Sequence, residues 1–367
     1  MMMGRFGSRR WVGCWRALIL GSVAALMVGG AGVARAEEPT KARGLDIYFV
    51  DALGGAATLL VTPEGETILI DSGWPSSRHD TAARIEHVLK KVAGRDRLDH
   101  LVSTHWHMDH YGGVEDLAKR VEIGRYWDRG LPEDGDPEIG FPDGPKDDDP
   151  LAVAYRAASK GKRTVLKPGD SLPLRGDISA VVLAASGRVV SPPDDAPENP
   201  LCQSAPADHA EDRSDNAQSM VLKFRSGNFD FLVCGDLTWN IEKNLVCPRD
   251  LIGKIDLYQV THHGLAISNH PILLQTIEPI VTVMTNGPRK GGDAETVHRL
   301  RKIPSIQAAY QLHRNAQTGD DDNTAPSLIV NDDPAGGRFL HVSVSPDGST
   351  FKVRMDADGP ERSFESR

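Results

Sequence analysis

Four potential metal ligands fall within six residues in Thr104-His105-Trp106-His107-Met108-Asp109-His110, directly after the apolar pair Leu101 and Val102, which reads as a strand end. His105 and His107, two apart on extended chain, project to one side and suit one metal ion through imidazole nitrogen. A helix opening near Asp109 turns its carboxylate and the ring of His110 to the other side, where they suit a second ion. Imidazole with carboxylate is a ligand set for zinc and also for manganese or iron, and an incomplete shell leaves room for water.

Two later stretches could close such a site. Residues 220–224 and 229–233 read as strands around the turn Ser226-Gly227-Asn228, and the second runs into Cys234-Gly235-Asp236. Glycine lets the backbone pass close, and Asp236 can give one oxygen to each ion. Residues 255–261 then form a strand that ends in His262-His263-Gly264. By position, His262 is read as a ligand of the second ion and His263 as a group that binds substrate oxygen or protonates the leaving group. The two roles could be exchanged. Downstream, Thr285-Asn286-Gly287-Pro288-Arg289-Lys290-Gly291-Gly292 is a glycine-rich loop with two cations that could hold an anionic substrate group. His313, at the end of a short strand over 308–312, is a further pocket candidate.

These groups need elements to deliver them. Strands are expected at 45–50 and 57–61 around Gly54-Gly55, and at 67–70, the last ending in Asp71-Ser72-Gly73. Apolar residues at helical spacing (Ala82, Ile85, Val88, Leu89, Val92) predict a helix over 81–92 that stops at Gly94. A strand over 98–103 then carries the ligand run, so one strand-helix-strand unit builds half of the site. Residues 127–150, with Asp147-Asp148-Asp149, and residues 191–215 read as polar insertions. A short helix is expected at 152–158, and a strand pair within 164–183 turning at Pro168-Gly169-Asp170. A strand at 280–284, a helix at 294–302 and a closing hairpin of 339–344 with 350–355 complete the pattern. No internal repeat interrupts it.

The run H-x-H-x-D-H followed by Tyr111-Gly112-Gly113 resembles the signature of the metallo-β-lactamase superfamily. The Asn216-x-x-Ser219 strand opening, the hairpin ending in Gly235-Asp236 and the run Asp256 to Gly264 narrow the likeness to the hydrolase domain of ComEC-type competence proteins and its free-standing relatives. Among those relatives are secreted choline-binding phosphodiesterases. The resemblance implies an αββα sandwich, two mixed sheets face to face with helices outside and two divalent ions at one edge, zinc or else manganese. It implies that Asp71 braces the ligand loop without ligating. It also implies a metal-bridging hydroxide as nucleophile, oriented by Asp109, with Asp236 holding the ion pair together. Most of the superfamily places a third histidine on the first ion, where this sequence has Asn216. Asn216 could ligate through its carbonyl or meet substrate, or His209 could reach in from the preceding loop. Hard cations flanked by Arg289 and Lys290 suit a phosphodiester. The alternatives are an acyl hydrolase, for which Trp74, Trp106 and Tyr111 would shape an apolar pocket, and a non-catalytic metal-binding envelope module.

Of the 367 residues, the first 36 read as a secretory signal: Arg5, Arg9, Arg10 and Arg16, an apolar stretch over 17–33, then Ala34-Arg35-Ala36 as the cleavage site. Ser8-Arg9-Arg10-Trp11 partly resembles a twin-arginine signal. The hydrolase domain is expected to occupy 37–367 and to act in the periplasm or outside the cell, touching membrane only through the signal if uncleaved. Losing the signal removes five arginines and no acid, so the net charge of −9 becomes −14. That balance opposes a broad nucleic-acid surface and leaves a small-molecule or oligomeric phosphoester as the expected partner. Cys234 lies in an apolar strand, and Cys202 and Cys247 could pair in an oxidising compartment.

Overall fold

Thr58-Leu59-Leu60-Val61 and Thr67-Ile68-Leu69-Ile70 are buried on both faces, so each has to lie between two layers. The computed structural model, which describes residues 43–134, 140, 143–193 and 196–367, shows those layers. The expected signal over 1–36 lies outside the described residues.

The first sheet takes β1 (Asp46–Phe49), β2 (Thr58–Val61), β3 (Thr67–Ile70), β4 (Arg97–Val102), β5 (Glu122–Asp128) and β6 (Arg163–Val165) from the first part of the chain. The second holds β7 (Ile178–Ala185), β8 (Arg188–Val189), β9 (Val221–Ser226), β10 (Phe229–Val233), β11 (Leu257–Val260), β12 (Val281–Met284), β13 (Ala308–His313) and β14 (Ile329–Asn331). The chain then returns to the first sheet as β15 (Leu340–Val344), β16 (Thr350–Met355) and β17 (Glu361–Glu365). The strand orders are 17-16-15-1-2-3-4-5-6 and 14-13-12-11-10-9-7-8. Both sheets are mixed: β3 to β6 and β10 to β14 run parallel, and the remaining pairs are antiparallel.

Alternation along the strands sorts side chains into three apolar layers. Ile47, Phe49, Leu60, Ile70, Phe224 and Phe231 fill the space between the sheets. Leu59, Leu69 and Leu101 point the other way, against helices α1 (Thr81–His87), α3 (Val114–Arg120) and α4 (Pro150–Ser159). Leu232, Tyr258 and Met284 likewise meet α6 (Pro271–Ile277) and α7 (Ala294–Arg301), beside α5 (Trp239–Asn244). The αββα sandwich is therefore observed.

One expected pair comes apart. Within 164–183, β6 joins the first sheet and β7 the second, so the turn at Gly169 links sheets rather than closing a hairpin. A single bridge from Ser171 to Val181 is what remains of the pairing. Cys202 and Cys247 form a disulfide, and Cys234 is a buried free thiol. Asp149, last of the acidic run, caps α4 by accepting the Leu151 amide.

Candidate metal centre

The ligand run leaves β4 and crosses into the four-residue helix α2 (Met108–Tyr111). Asp71, at the end of the neighbouring β3, holds both ends of that crossing. Its Oδ1 accepts the Thr104 amide at 2.8 Å, and its Oδ2 accepts the Thr104 hydroxyl at 2.8 Å and His110 Nδ1 at 2.7 Å. Asp71 sits at φ 59°, a left-handed conformation that aspartate tolerates better than most residues. The second sheet delivers the rest. Gly235 has φ +52°, and a Cβ there would lie 2.9 Å from Thr104 Oγ1, so only glycine lets the end of β10 pass the loop. That passage brings Asp236 under the histidines.

Four groups converge: Asp109, His110, Asp236 and His263 offer ligand atoms that all lie within 4.8 Å of one another, and all four are buried. His110 Nε2 is 3.1 Å from Asp236 Oδ1; His263 Nε2 is 3.1 Å from Asp109 Oδ2 and 3.3 Å from Asp236 Oδ2. Two more imidazoles approach the same Asp236 Oδ2, His262 at 3.5 Å and His105 at 3.9 Å.

Hydrogen bonds on the far side of each ring fix its tautomer. His110 Nδ1 faces the Asp71 carboxylate and His263 Nδ1 faces the Thr285 carbonyl at 3.0 Å, and both oxygens can only accept. The Ser268 hydroxyl donates to the Leu237 carbonyl, which leaves its oxygen to accept from His262 Nδ1 at 3.1 Å. The Thr104 hydroxyl is committed to Asp71 in the same way, so it accepts from His105 Nδ1. In the neutral rings all four Nε2 atoms therefore carry lone pairs, and all four face Asp236. Outer hydrogen bonds of this kind orient metal-ligating histidines. His105 Nε2 is buried with no partner, as is Asn216 Oδ1. A buried, unpartnered nitrogen lone pair beside two carboxylates fits a divalent cation and nothing that the chain itself supplies.

Burial opposes ionisation of Asp109 and Asp236, but His110 and the other imidazoles, with Lys290 at Asp109, hold both carboxyls well below the usual range. Burial pushes His105 down, and His262 to about 4, which keeps those rings neutral. Burial also opposes protonation of His110, but Asp236, Asp109 and Asp71 hold it well above the usual imidazole range, so a bound cation would displace the proton on its Nε2.

Several expected places change. His263, not His262, completes the four-group cluster, because His262 and His263 both adopt left-handed backbone (φ 56° and 52°) and strand alternation no longer applies. His107 turns to Asp143, its Nε2 3.0 Å from that carboxylate, and is a quarter exposed. Lys290 pairs with Asp109 and lies 5.1 Å over the Trp74 ring, whereas Arg289 is exposed. His313 lies in the buried interior with its Nε2 2.7 Å from Asp51, and it is not among the four clustered groups. Asn216 Nδ2 lies 3.3 Å from His262 Nε2. His209 does not reach the ligands; it stacks on Trp239 at 4.1 Å, beside Asn216 in a cleft of about 290 Å³. Sequence reasoning missed the orienting residues Thr104, Ser268 and Thr285, and a buried ion pair of Arg129 with Asp215, whose other oxygen accepts the Trp106 amide. Of these, Thr104, Thr285 and Asp215 lie in or beside a quoted motif, whereas Ser268 and Arg129 do not.

Comparison with known proteins matches a family model, the metallo-beta-lactamase superfamily, over residues 50–189. "ComE operon protein 3" of Bacillus subtilis (strain 168) is 25% identical over 244 residues, 66% of this chain and 27% of that protein. "Recombination protein 2" of Haemophilus influenzae is 32% identical over 96 residues, 25% of this chain and 12% of that one. The chain thus spans about a quarter or less of the length of these two relatives. Among solved structures, a CmlA beta-hydroxylase E377D mutant is similar at 17% identity and TM-score 0.45, covering 75% of this chain and 53% of that one. Residues 50–189, which include the ligand run, are thus similar to the metallo-beta-lactamase superfamily, and the αββα sandwich with its clustered histidines and aspartates accords with that likeness.

Proposed function

We propose that the protein is an exported phosphodiesterase that works with two divalent ions, zinc or else manganese. The observation that carries this reading is the set of four inward Nε2 atoms around Asp109 and Asp236, with the Lys290 ammonium at its edge. Divalent ions held there would supply an activated water and polarise phosphoryl oxygen.

The chain's own residues account for the rest. Asp236 meets imidazoles of both sheets, so it sets the spacing of the centre. Asp109 faces His263 and Lys290 together and is the carboxylate that orients the attacking water. Lys290 pairs with a non-bridging phosphoryl oxygen, and the Trp74 ring beneath limits where its ammonium can go. His263 is assigned to holding an ion rather than to protonating the leaving group, since its Nε2 lies 3.1 Å from Asp109 and 3.3 Å from Asp236 within the four-group cluster. Acyl hydrolysis is disfavoured because Trp106 and Tyr111 pack with Tyr155 in the outer core, leaving Trp74 alone at the site.

The disulfide of Cys202 with Cys247 suits the periplasm or the medium. The substrate is a small-molecule or oligomeric phosphoester. Among the described residues no helix is long and apolar enough to cross a membrane. The test is hydrolysis of bis(p-nitrophenyl) phosphate and of nitrocefin by the protein loaded in turn with zinc and manganese. Phosphodiester turnover that is lost in Asp236→Ala supports the proposal. Turnover of nitrocefin alone moves the assignment to acyl hydrolysis, and no turnover of either with fewer than two ions bound makes it a binding module.

A further inference from the structure

We infer that His262 supplies an imidazole to the first ion beside His105, at the corner where the sequence has Asn216. The inference rests on the two-ion reading above and assigns a residue within it. His262 and Asn216 share one corner of the centre: Asn216 Nδ2–H donates to the His262 Nε2 lone pair at 3.3 Å, and Asn216 Oδ1 is buried without a partner. An asparagine in this place therefore does not leave the corner short of an imidazole.

The direction of the ring is fixed from outside. Leu237 O takes the Ser268 proton and Ser268 Oγ takes the His262 Nδ1 proton, which leaves Nε2 as the inward lone pair. His262 Nε2 and His105 Nε2 approach the same oxygen of Asp236, at 3.5 and 3.9 Å. In a tetrahedral shell with metal–nitrogen bonds of about 2.1 Å, neighbouring donors stand roughly 3.4 Å apart, so these spacings are those of ligands awaiting an ion. His263 approaches the same oxygen at 3.3 Å but belongs with Asp109 and His110. The left-handed backbone at both positions is what lets two successive residues serve both ions.

The test is titration of metal-free protein with Zn2+ and Co2+, followed by calorimetry and by cobalt d–d absorption, with no activity readout. The variants are His262→Asn, since asparagine tolerates the left-handed backbone but does not reach the ion, and Ser268→Ala, a positioning change. Wild-type protein is expected to take up two equivalents. His262→Asn keeps one event within threefold and weakens the other at least about 100-fold, while Ser268→Ala weakens that same event about 10-fold. His263→Asn affects the other event. Two events unchanged within threefold in His262→Asn overturn the inference and leave the two-ion reading standing. Fewer than two equivalents in the wild type overturn both. Near-ultraviolet circular dichroism reports folding; should His262→Asn be unfolded, an unchanged Ser268→Ala titration overturns the inference.

Discussion

Replacing Asp71 by asparagine alters neither the charge nor the identity of any group facing the ions, yet it is expected to weaken the second ion. The aspartate accepts three hydrogen bonds, from the Thr104 amide, the Thr104 hydroxyl and His110 Nδ1. An asparagine that keeps its carbonyl on the Thr104 amide presents an N–H to His110. The ring must then accept at Nδ1 and carry its proton on Nε2, the atom that faces Asp236 at 3.1 Å. Restoring the ligating tautomer costs the buried, charge-assisted bond, about 1.5–3 kcal/mol. At 1.4 kcal/mol per factor of ten, the affinity of that ion falls roughly 10- to 100-fold. Calorimetric metal titration measures the loss, and nitrogen-15 shifts of the His110 ring report the tautomer. Binding within threefold of wild type, or an unchanged tautomer, would refute the reasoning.

Three further outcomes are expected. Lys290→Met should lower kcat/KM for bis(p-nitrophenyl) phosphate about 10- to 100-fold without lowering metal content, toward the small end of the loss from removing a transition-state donor because a third of the side chain is exposed. Burial raises Glu242 to about 7. Its stabilising contribution is therefore full below the unfolded carboxylate pKa and is lost as pH rises through about 7, so Glu242→Gln should gain thermal stability relative to wild type between pH 5 and 8, by up to roughly 3 kcal/mol. A Tm difference independent of pH counts against this. The Cys202–Cys247 bridge spans 45 residues, for which the chain-entropy model gives about 4 kcal/mol. Cys202→Ser with Cys247→Ser should lower the denaturation midpoint accordingly while leaving both metal equivalents in place.

Much of this centre could be read from the sequence because its ligands are dense and follow strand ends. His105, Asp109 and His110 come from one short run, Asp236 follows a glycine that the passage requires, and His262 and His263 are adjacent. Their order was harder to read, since a left-handed turn sets which histidine faces which ion and no pattern of side-chain types encodes it. His313 could not be placed for a different reason: its partner Asp51 lies 262 residues away, and only the folded chain joins them. The same holds for Arg129 with Asp215, two charges in polar stretches that become a buried pair. Strands β5, β14 and β17 were missed because two are short or exposed edges and one follows a helix with no turn signal between them.

The division of ligands between the sheets has a consequence for assembly. His105, Asp109 and His110 belong to the first sheet, and Asp236, His262 and His263 to the second. Neither half holds a full coordination shell, so bound ions would act as rivets between two plates that the chain makes one after the other. Any free energy of metal capture is then shared with closing the sandwich. A chelator should loosen the seam between the sheets before it melts either one, and the metal-binding curve of this protein doubles as a gauge of how tightly its two halves are shut.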